Sequence, residues 1–350
     1  MTGTFEGKRV LITGGTGSLG QALTRRLMTG AEGIPESVTI FSRDEAKQHY
    51  MRLDFMHRNA ATDEVIFENS QQRLRFRIGD VRDYSALARV VHDADIVFGA
   101  AALKQVPSCE YFPWEATRTN IEGAANLVRA ISELDLQVET VVGISTDKAC
   151  KPVNVMGMTK AIQERVFIDG NLHRPATRFV CARYGNVLAS RGSVVPLFLD
   201  QIKAGGPVTI TTADMTRFLL TLDDAVDTIL AAVRSADPGD TFIPRCRSAK
   251  MTDLAAQLIG ERRIETVITG IRPGEKIHEI LISEEEATRT VDGPEGYFAV
   301  KAMLPELAGP VDDPALVGDY SSSTSLMTSS ELGDFLRRKL PEAIAAEQVA

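Results

Sequence analysis

The sequence predicts an α/β fold, in which helices cover both faces of a parallel sheet and a smaller C-terminal part is interleaved with it. Three observations support this prediction. Short β-branched runs alternate with helical patterns over the first 185 residues. A glycine-rich loop joins the first strand to the first helix, and after residue 186 the elements become shorter and are separated by Gly and Pro. Strands that alternate with helices are typical of a doubly wound sheet of the Rossmann type.

Residues 1–185 are therefore predicted to form the Rossmann domain. Strands are expected at 8–13, 38–42, 74–78, 95–100, 140–145 and 178–183. Helices are expected at 19–28, 84–91, 119–134 and 155–167, where the apolar residues recur at helical spacing.

The remaining residues are predicted to form a substrate-binding part from 186–218 and 246–350. Between these segments, a helix at 222–233 and a strand near 241–243 are expected to return to the main sheet, so that residues 219–245 belong to the first domain. A last amphipathic helix is expected at 329–340, with Ser329 or Ser330 as its N-cap.

The composition excludes several classes of function. The net charge of −8 disfavours non-specific binding to nucleic acid. No signal-peptide pattern and no run of 18 apolar residues is present, which predicts a cytoplasmic protein without a membrane partner. The four cysteines lack CxxC spacing and are expected to be free thiols. The five histidines are isolated, so no metal site is expected.

The loop LITGGTGSLG places glycines directly after a strand and at the start of a helix. Glycines allow a tight turn and a close backbone approach to a pyrophosphate, which the helix N-terminus would bind. We therefore expect a dinucleotide cofactor, with a purely structural glycine turn as the alternative. The expected contacts are Thr13, Gly14, Thr16, Gly17, Ser18, Leu19 and Gly20.

The second strand ends in FSRDEAK, at the position where such folds recognise the adenosine ribose. The hydroxyl of Ser42, the guanidinium of Arg43 and the nearby Lys47 suit a ribose 2′-phosphate and favour NADP. Asp44 is the competing observation, because an acid there would hold the free ribose hydroxyl of NAD.

Two further strand ends are expected to contact the cofactor. Asp80 and Val81 follow the third strand and fit a contact to the adenine edge, although Asp80 would also suit the N-cap of the next helix. Ala100, Ala101 and Ala102 are small residues at the end of the fourth strand, where a cofactor would lie close to the backbone.

The fifth strand runs into the polar sequence Ser145, Thr146, Asp147 and Lys148. In an open α/β sheet, ligands bind beyond the carboxyl ends of the strands. An anionic and a cationic group there suit acid–base catalysis. An exposed Asp–Lys pair that caps the next element is the alternative.

The segment VMGMTK raises the question of the proton carrier. Many nucleotide-cofactor enzymes have a tyrosine four residues before a lysine, but here Met156 precedes Lys160, and a thioether cannot transfer a proton. Lys160 lies one turn beyond Met156 on the same side of the helix. Next to an oxidised nicotinamide its pKa would be lowered.

The motifs TGGTGSLG, SRDEAK, STDKA, VMGMTK, RYGNV and GIRPGEKIHEI together resemble the extended short-chain dehydrogenase/reductase superfamily. Within it, they are most similar to the UDP-N-acetylglucosamine 4,6-dehydratases of bacterial surface-sugar synthesis, in particular the soluble members that invert C5. The resemblance covers residues 8 to 300. Some members carry Met at the position of Met156, which leaves the stereochemistry at C5 open.

The resemblance implies a reaction in which C4 is oxidised by NADP, water is lost across C5 and C6, and the hydride returns to C6. It implies Lys148 as the base at C5 and Asp147 as the acid at the C6 oxygen. The proton of the C4 hydroxyl would leave through Lys160 or through a water held by Ser145 or Thr146.

The resemblance also implies the contacts to a UDP-sugar. Asn186 would contact the sugar, Arg217 and Arg272 the UDP part, and Glu275 the uridine ribose, with Lys104 near the sugar or diphosphate. Relatives of this kind form homo-oligomers, so a dimer or a hexamer is expected.

Three other functions remain open from the sequence. A retaining 4,6-dehydratase and a UDP-sugar 4-epimerase are close variants, although an epimerase needs no acid–base pair at C5 and C6. A non-catalytic NADP-binding sensor is the alternative from a different class, and the retention of Asp147, Lys148 and Lys160 argues against it.

Overall fold

The computed structural model describes residues 3–56, 73–188 and 193–340. In this part of the chain, the main sheet has nine strands in the order β13-β14-β9-β6-β5-β4-β1-β2-β3. The seven strands from β9 to β3 are parallel, and β14 and β13 add to the β9 edge in antiparallel orientation. The predicted doubly wound parallel sheet is therefore confirmed.

The strands of the main sheet are β1 (Arg9–Thr13), β2 (Ser37–Ser42), β3 (Leu74–Ile78), β4 (Ile96–Gly99), β5 (Thr140–Thr146), β6 (Arg178–Tyr184), β9 (Thr241–Pro244), β13 (Thr290–Asp292) and β14 (Tyr297–Val300). Three two-stranded sheets are built from β7 (Val208–Ile210) with β11 (Thr266–Ile268), β8 (Thr216–Leu219) with β10 (Arg247–Lys250), and β12 (Ile280–Ile282) with β15 (Tyr320–Ser321).

The α-helices are α1 (Ser18–Thr29), α2 (Glu45–Met56), α3 (Tyr84–Val91), α4 (Val106–Tyr111), α5 (Pro113–Thr117), α6 (Gly123–Glu133), α7 (Val155–His173), α8 (Val194–Lys203), α9 (Leu222–Ser235), α10 (Met251–Ile259), α11 (Glu284–Ala287) and α12 (Ser329–Lys339). A π-helical turn (Arg118–Glu122) precedes α6, and a 3₁₀ turn (Asp147–Ala149) follows β5.

Successive residues of a strand are buried alternately in two apolar layers, one on each face of the sheet. Val10 and Ile12 of β1 lie in the layer that contains apolar residues of α1 and α9. Leu11 lies in the opposite layer, with apolar residues of α3, α6 and α7. This alternation follows from the period of two in a strand, and it places helices on both faces of the sheet.

The order of the strands reverses at β1, which pairs with β2 on one side and with β4 on the other. The connections that follow these neighbouring strands leave toward opposite faces of the sheet, which opens a crevice beyond their carboxyl ends. The glycine turn after β1 and the polar sequence after β5 both lie at this end of the sheet.

Residues outside the main sheet have their own apolar core. It is formed by α8, α10 and α12 together with residues of β7, β8 and β10, including Phe198, Leu254 and Leu336. Residues 290–300 were expected in this substrate-binding part, but β13 and β14 instead extend the main sheet. Their short apolar runs pair with the edge of β9, so the two parts are interleaved more deeply than the sequence predicts.

One local expectation is right only in part and another is wrong. The helix expected at 119–134 is present as α6, but its first residues form the π-helical turn, which shifts the register before α6. The N-cap of α12 is Thr328, whose hydroxyl accepts from the N–H of Glu331 in a capping box. Ser329 and Ser330 therefore lie inside the helix.

Within the described ranges, none of the helices has the length and the apolar composition that crossing a membrane would require. All four cysteines are buried free thiols, as the sequence predicts.

Candidate active site

The turn between β1 and α1 brings its backbone close to the chain that follows β4. Gly14 has a φ of +66°, a left-handed value that favours glycine. A Cβ at Gly14 would lie 2.8 Å from the Cα of Ala101, and one at Gly20 would lie 2.4 Å from the Cα of Gly15. Both positions are therefore closed to side chains.

The N-terminus of α1 has no side-chain cap. Gly17 is the N-cap residue, and the first turn, which begins with Ser18 and Leu19, contains no acidic residue. The unpaired N–H groups and the positive end of the helix dipole suit an anion. Together with the closed glycine turn, this geometry fits the pyrophosphate of a dinucleotide.

Two threonines of the turn have partners within the protein. The hydroxyl of the buried Thr13 donates to the Phe98 carbonyl and accepts from the N–H of Ala101, each at 3.3 Å. The hydroxyl of Thr16 lies 2.9 Å from that of Ser42. Thr13 therefore ties β1 to the end of β4, and Thr16 ties the glycine turn to the end of β2.

At the end of β2, Asp44 has a close partner within the protein, whereas Arg43 has only a distant one. Asp44 accepts from the N–H of Lys47 at 2.9 Å and pairs with its Nζ at 2.8 Å, and these bonds from Lys47 lower the pKa of Asp44. Arg43 is 53% exposed, and its Nη1 lies 3.5 Å from Oδ2 of Asp80. Asp44 thus stabilises the start of α2, while Arg43 has only a weak contact.

Asp80 is held by Arg82 and does not cap a helix. Its Oδ1 accepts from the N–H of Arg82 at 3.0 Å, and its Oδ2 from Nη2 of the same residue at 2.6 Å. Burial would raise the pKa of Asp80, but these hydrogen bonds hold it below its ordinary value. The cap of α3 is Asp83, which accepts from the N–H of Ala86, so the helix-cap alternative for Asp80 is wrong.

The apolar positions predicted to contact the cofactor lie at the same edge of the sheet. Val81 is buried, and a Cβ at Gly123 would lie 2.7 Å from its Cγ2. Ala100, Ala101 and Ala102 are half-buried after β4. The structure thus places these small residues beside the glycine turn.

A buried amide that the sequence did not single out fixes the loop after β4. Asn120 accepts from the N–H of Leu103 at 2.8 Å and donates to the Leu103 carbonyl at 3.0 Å and to the Thr159 hydroxyl at 2.9 Å. Thr159 in turn donates to the Met156 carbonyl at 2.9 Å. The sequence did contain a signal for this role, because Asn120 places an amide at a core-facing position of the helix predicted at 119–134.

The predicted acid–base pair lies directly after β5. The hydroxyl of Thr146 caps the 3₁₀ turn by accepting from the N–H of Lys148 at 3.4 Å. Gly157 on α7 packs so closely on this turn that a Cβ there would lie 2.2 Å from the Lys148 carbonyl oxygen. Asp147 is fully buried and Lys148 is 22% exposed. The exposed-pair alternative is therefore wrong.

One carboxylate oxygen of Asp147 is satisfied and the other is not. Oδ1 accepts from the Thr146 hydroxyl at 2.7 Å and from Nζ of Lys148 at 3.1 Å. No donor reaches the buried Oδ2 from any described residue. An unsatisfied buried acceptor costs about 1–3 kcal/mol, so this oxygen is suited to a donor on a ligand.

The ammonium of Lys148 faces three side-chain oxygens. Its Nζ lies 3.1 Å from Oδ1 of Asp147, 3.1 Å from Oδ1 of Asn186 and 3.7 Å from Oε1 of Glu279. Burial would lower the pKa of Lys148, but the carboxylates of Asp147 and Glu279 raise it above the ordinary lysine value. Lys148 is therefore protonated at neutral pH, and Asn186, predicted as a sugar contact, helps to orient it.

Ser145 belongs to a buried network and not to the acid–base pair. Its hydroxyl donates to Glu164 at 2.5 Å, and Glu164 pairs with Arg183 at 2.6 Å. Arg183 also pairs with Glu286 at 2.7 Å. Burial would raise the pKa of Glu286, but Arg183 lowers it to about 2. The network joins α7, β6 and α11 behind the acid–base turn.

Lys160 is buried beneath the end of β5. Its Nζ donates to the Ile144 carbonyl and, at 2.5 Å, to Oε1 of Gln163. Burial lowers the pKa of Lys160 to about 8. The lysine can therefore exchange its proton near neutral pH, although both of these bonds direct it into the protein.

Met156 is 4% exposed and lies in a small apolar cluster. It packs with Cys109 of α4 and Ala116 of α5, and Leu103 and Val106 border the cluster. The thioether of Met156 thus acts as a packing group.

The RPGEK segment lies across the acid–base turn. Nδ2 of Asn154 donates to the Gly274 carbonyl at 2.8 Å, and Nζ of Lys276 donates to the Cys150 carbonyl at 2.6 Å. The C-terminal part therefore contacts the chain on both sides of residues 151–153.

Arg217 lies beside Glu279, which the sequence did not single out. Nε of Arg217 is 3.5 Å from Oε1 of Glu279, and its Nη1 donates to the carbonyls of Thr216 at 2.8 Å and Ile277 at 3.1 Å. Glu279 is 4% exposed. Its motif, IHEI, was visible, but sequence spacing alone does not distinguish this acid from a surface one.

The other predicted substrate contacts are accessible to solvent to different extents. Lys104 and Arg272 are exposed, and Glu275 is half-buried. The N–H of Glu275 donates to the Arg272 carbonyl at 3.2 Å, and its carboxylate accepts from the N–H of Arg272 at 3.4 Å. Among the described residues, no group of three or more His, Cys, Asp or Glu side chains could hold a metal ion.

The chain matches a known sequence family over most of its length. The family described as polysaccharide biosynthesis protein matches residues 10–301. A protein named UDP-glucose 4-epimerase from Rickettsia conorii is 42% identical over 293 residues, which are 82% of this chain and 81% of that protein.

Solved structures share the fold of this chain. Pen from Bacillus thuringiensis is 32% identical, with a TM-score of 0.81, over 96% of this chain and 99% of that one. DesIV, a dTDP-glucose 4,6-dehydratase from Streptomyces venezuelae solved with NAD, has a TM-score of 0.63 at 20% identity, over 77% of this chain and 86% of that one. At that identity, the second match shows the fold alone.

Proposed function

Because this chain belongs to the polysaccharide biosynthesis protein family, we propose that it is a UDP-N-acetylglucosamine 4,6-dehydratase. The proposed product is a UDP-2-acetamido-2,6-dideoxy-4-hexulose formed with inversion at C5. In this reaction C4 is oxidised, a C5 proton and the C6 hydroxyl leave as water, and the hydride then returns to C6 while a proton returns to C5 on the opposite face.

The observation that carries this proposal is the unsatisfied oxygen of Asp147 beside the Lys148 ammonium. Loss of water across C5 and C6 requires a proton acceptor at C5 and a proton donor at the C6 oxygen. Epimerisation at C4 requires neither. A buried donor–acceptor pair beyond the end of β5 therefore favours elimination.

The raised pKa of Lys148 favours one assignment of the two roles. The family resemblance implies Lys148 as the base and Asp147 as the acid. A protonated Lys148 instead suits donation to the departing C6 hydroxyl, and the unpaired Oδ2 of Asp147 suits acceptance of the C5 proton. We therefore exchange the two roles.

Thr146 offers a route for the proton of the C4 hydroxyl that Met156 cannot carry. The Thr146 hydroxyl donates to Oδ1 of Asp147 at 2.7 Å. It would accept the C4 proton while it passes its own to Asp147, and Asp147 would release that proton to solvent before it accepts the C5 proton. Ser145 is committed to Glu164 and Lys160 to the Ile144 carbonyl and Gln163, which makes Thr146 the better candidate.

The glycine turn and the uncapped start of α1 would hold the pyrophosphate of a nicotinamide dinucleotide. When bound, its nicotinamide supplies a reversible hydride acceptor. We propose NADP, because Asp44 is engaged by Lys47 while Arg43 remains exposed. The NAD in the structural relative DesIV supports the competing cofactor.

A UDP-sugar 4-epimerase is the second candidate, supported by the name of the Rickettsia conorii relative. Incubation with UDP-N-acetylglucosamine and NADP in heavy water separates the two. A 4-keto-6-deoxy product with deuterium at C5 supports the dehydratase, and NMR coupling constants give the C5 configuration. A C4 epimer without deuterium at C5 would establish the epimerase instead.

We also propose that the chain forms a homo-oligomer. Tyr111 of α4, Phe112 between the helices and Trp114 of α5 are 83%, 62% and 69% exposed. Met158 and Ile162 of α7 are also exposed. Large apolar side chains that cluster on a surface are typical of protein interfaces. Light scattering coupled to gel filtration would give the number of subunits.

A further inference from the structure

Glu279 is a buried acid that contacts two cations of the candidate site. Its Oε1 lies 3.7 Å from Nζ of Lys148 and 3.5 Å from Nε of Arg217. No described residue donates a hydrogen bond to its buried Oε2. Charged side chains are rarely buried unless they are paired or functional. The burial of Glu279 with one oxygen on two cations and the other without a donor therefore suggests a role in the site.

The backbone around Glu279 is fixed by a residue from the far end of the chain. The N–H of Glu279 donates to the Ser322 hydroxyl at 2.9 Å, and its carbonyl accepts from the N–H of Ser322 at 2.8 Å. Ser322 directly follows β15, which pairs with β12. Glu279 is thus delivered to the acid–base turn by a rigid two-stranded element.

The charges that face Glu279 come from three elements. Asp147 and Lys148 belong to the 3₁₀ turn, Arg217 belongs to β8, and Lys276 lies in the segment of Glu279 itself. Burial and the Asp147 carboxylate raise the pKa of Glu279, whereas the three cations oppose this rise. Two carboxylates and three cations therefore share one small volume.

We propose that Glu279 is a positioning residue that holds the Lys148 ammonium against Asp147 and, through the same oxygen, holds Arg217. The consequence for catalysis rests on the proposed function of the pair. Without Glu279, Lys148 would keep only Asp147 and Asn186 as partners, and the ammonium form would be less favoured.

The test measures the titration of Lys148 directly. Trace acetylation of the full-length protein with acetic anhydride, read by mass spectrometry of the Lys148 peptide, gives the pH midpoint of that amine. Glu279→Gln removes one negative charge at nearly constant volume. We expect the midpoint to fall by about one pH unit, and Glu279→Asp should lie between this variant and the native protein.

A matched control is Glu284→Gln in α11. Glu284 is 65% exposed and lies 3.6 Å from Lys151, so the Lys148 midpoint should remain native. Circular dichroism verifies that each variant is folded. If Glu279→Gln does not fold, Glu279→Asp decides the question. A native Lys148 midpoint in the folded Glu279 variants would overturn the proposal.

The activity arm separates this inference from the proposed function. In an active dehydratase, Glu279→Gln should lower kcat roughly tenfold, because the Lys148 ammonium is no longer held in its productive position. The limb of the pH profile that depends on Lys148 should shift with the labelling midpoint. A native protein that forms no 4-keto product would refute the dehydratase, and the labelling result would still decide the role of Glu279. A loss of activity without any shift would indicate a merely structural role and refute the proposal.

Discussion

Nζ of Lys148 lies 3.1 Å from Oδ1 of Asp147, while the other oxygen of the same carboxylate has no donor in the described chain. A proton donor, the Lys148 ammonium, and a proton acceptor, the free oxygen of Asp147, thus belong to adjacent residues. Asp147→Asn and Lys148→Ala should each lower formation of the 4-keto product by roughly 10²–10⁴-fold, because general acid–base groups contribute about this much. Binding of NADP and UDP, measured by calorimetry, should be retained.

Lys203→Ala provides the control for these variants, since Lys203 is an exposed residue at the end of α8. Near-native turnover in either site variant would remove that residue from the mechanism.

The cofactor preference should depend on Arg43. One charge-assisted hydrogen bond contributes about 1.5–3 kcal/mol, so Arg43→Ala should weaken NADP by roughly tenfold to 150-fold and NAD much less. Fluorescence titration with both reduced cofactors measures this. Arg25→Ala, at an exposed position of α1, should change neither affinity. If Arg43→Ala binds NADP and NAD each with the affinity of the native protein, Arg43 does not contact the 2′-phosphate.

Met156 should tolerate a change of chemistry as long as its volume is kept. It packs with Cys109 and Ala116, so Met156→Leu, which nearly conserves volume, should keep most of the activity. The assay is the rate of 4-keto product formation at saturating substrate. A folded Met156→Leu enzyme that binds NADP but is inactive would show that the sulfur has a chemical role.

Lys160 should make the stability of the protein depend on alkaline pH. Burial lowers its pKa from 10.5 to about 8. Between these values, the unfolded state binds a proton at this residue that the folded state does not bind, so the free energy of unfolding should rise with pH. The rise from Lys160 is on the order of 3 kcal/mol.

Urea unfolding of the native protein and of Lys160→Met at several pH values between 8 and 10.5 isolates this effect. Lys160→Met should lack this part of the rise. Identical slopes of stability against pH in both proteins would contradict the lowered pKa.

Arg183 should be among the most sensitive positions for stability. Its guanidinium pairs with two buried carboxylates, Glu164 and Glu286. Arg183→Leu would leave both without a cation, and removal of one partner from a buried ion pair costs about 3–5 kcal/mol. Urea unfolding should show this loss. Arg247→Ala removes an exposed pair with Glu331 and should change the free energy of unfolding far less. A similarly small loss at Arg183 would contradict the prediction.

Much of the fold could be predicted because its signals are local. Most of the parallel strands from β1 to β6 are buried apolar runs, and α1, α3 and α7 follow strands at the expected places. The antiparallel strands β13 and β14 were missed, because three or four residues with a weak pattern become strands only when an edge is available for pairing. The π-helical turn before α6 had no signal in apolar spacing.

The candidate site divides in the same way. Asp147 and Lys148 could be predicted because they follow a recognisable strand, where ligands bind in this class of fold. Glu279 could not, because its place in the site depends on contacts with Arg217 and Ser322, 62 residues before it and 43 residues after it along the chain. Ser145 was expected at the catalytic pair, but its hydroxyl instead donates to the buried Glu164.

The shared guanidinium of Arg183 limits how this enzyme can be re-engineered. A chimera that joins its Rossmann domain to the C-terminal part of a relative with another sugar preference would replace Glu286 while keeping Arg183 and Glu164. Unless that relative also carries an acid at the position of Glu286, the chimera would bury the Arg183 guanidinium with Glu164 as its only carboxylate among these two. Exchange of single residues such as Arg272 and Glu275, which are predicted to contact the substrate, leaves the Arg183 network intact.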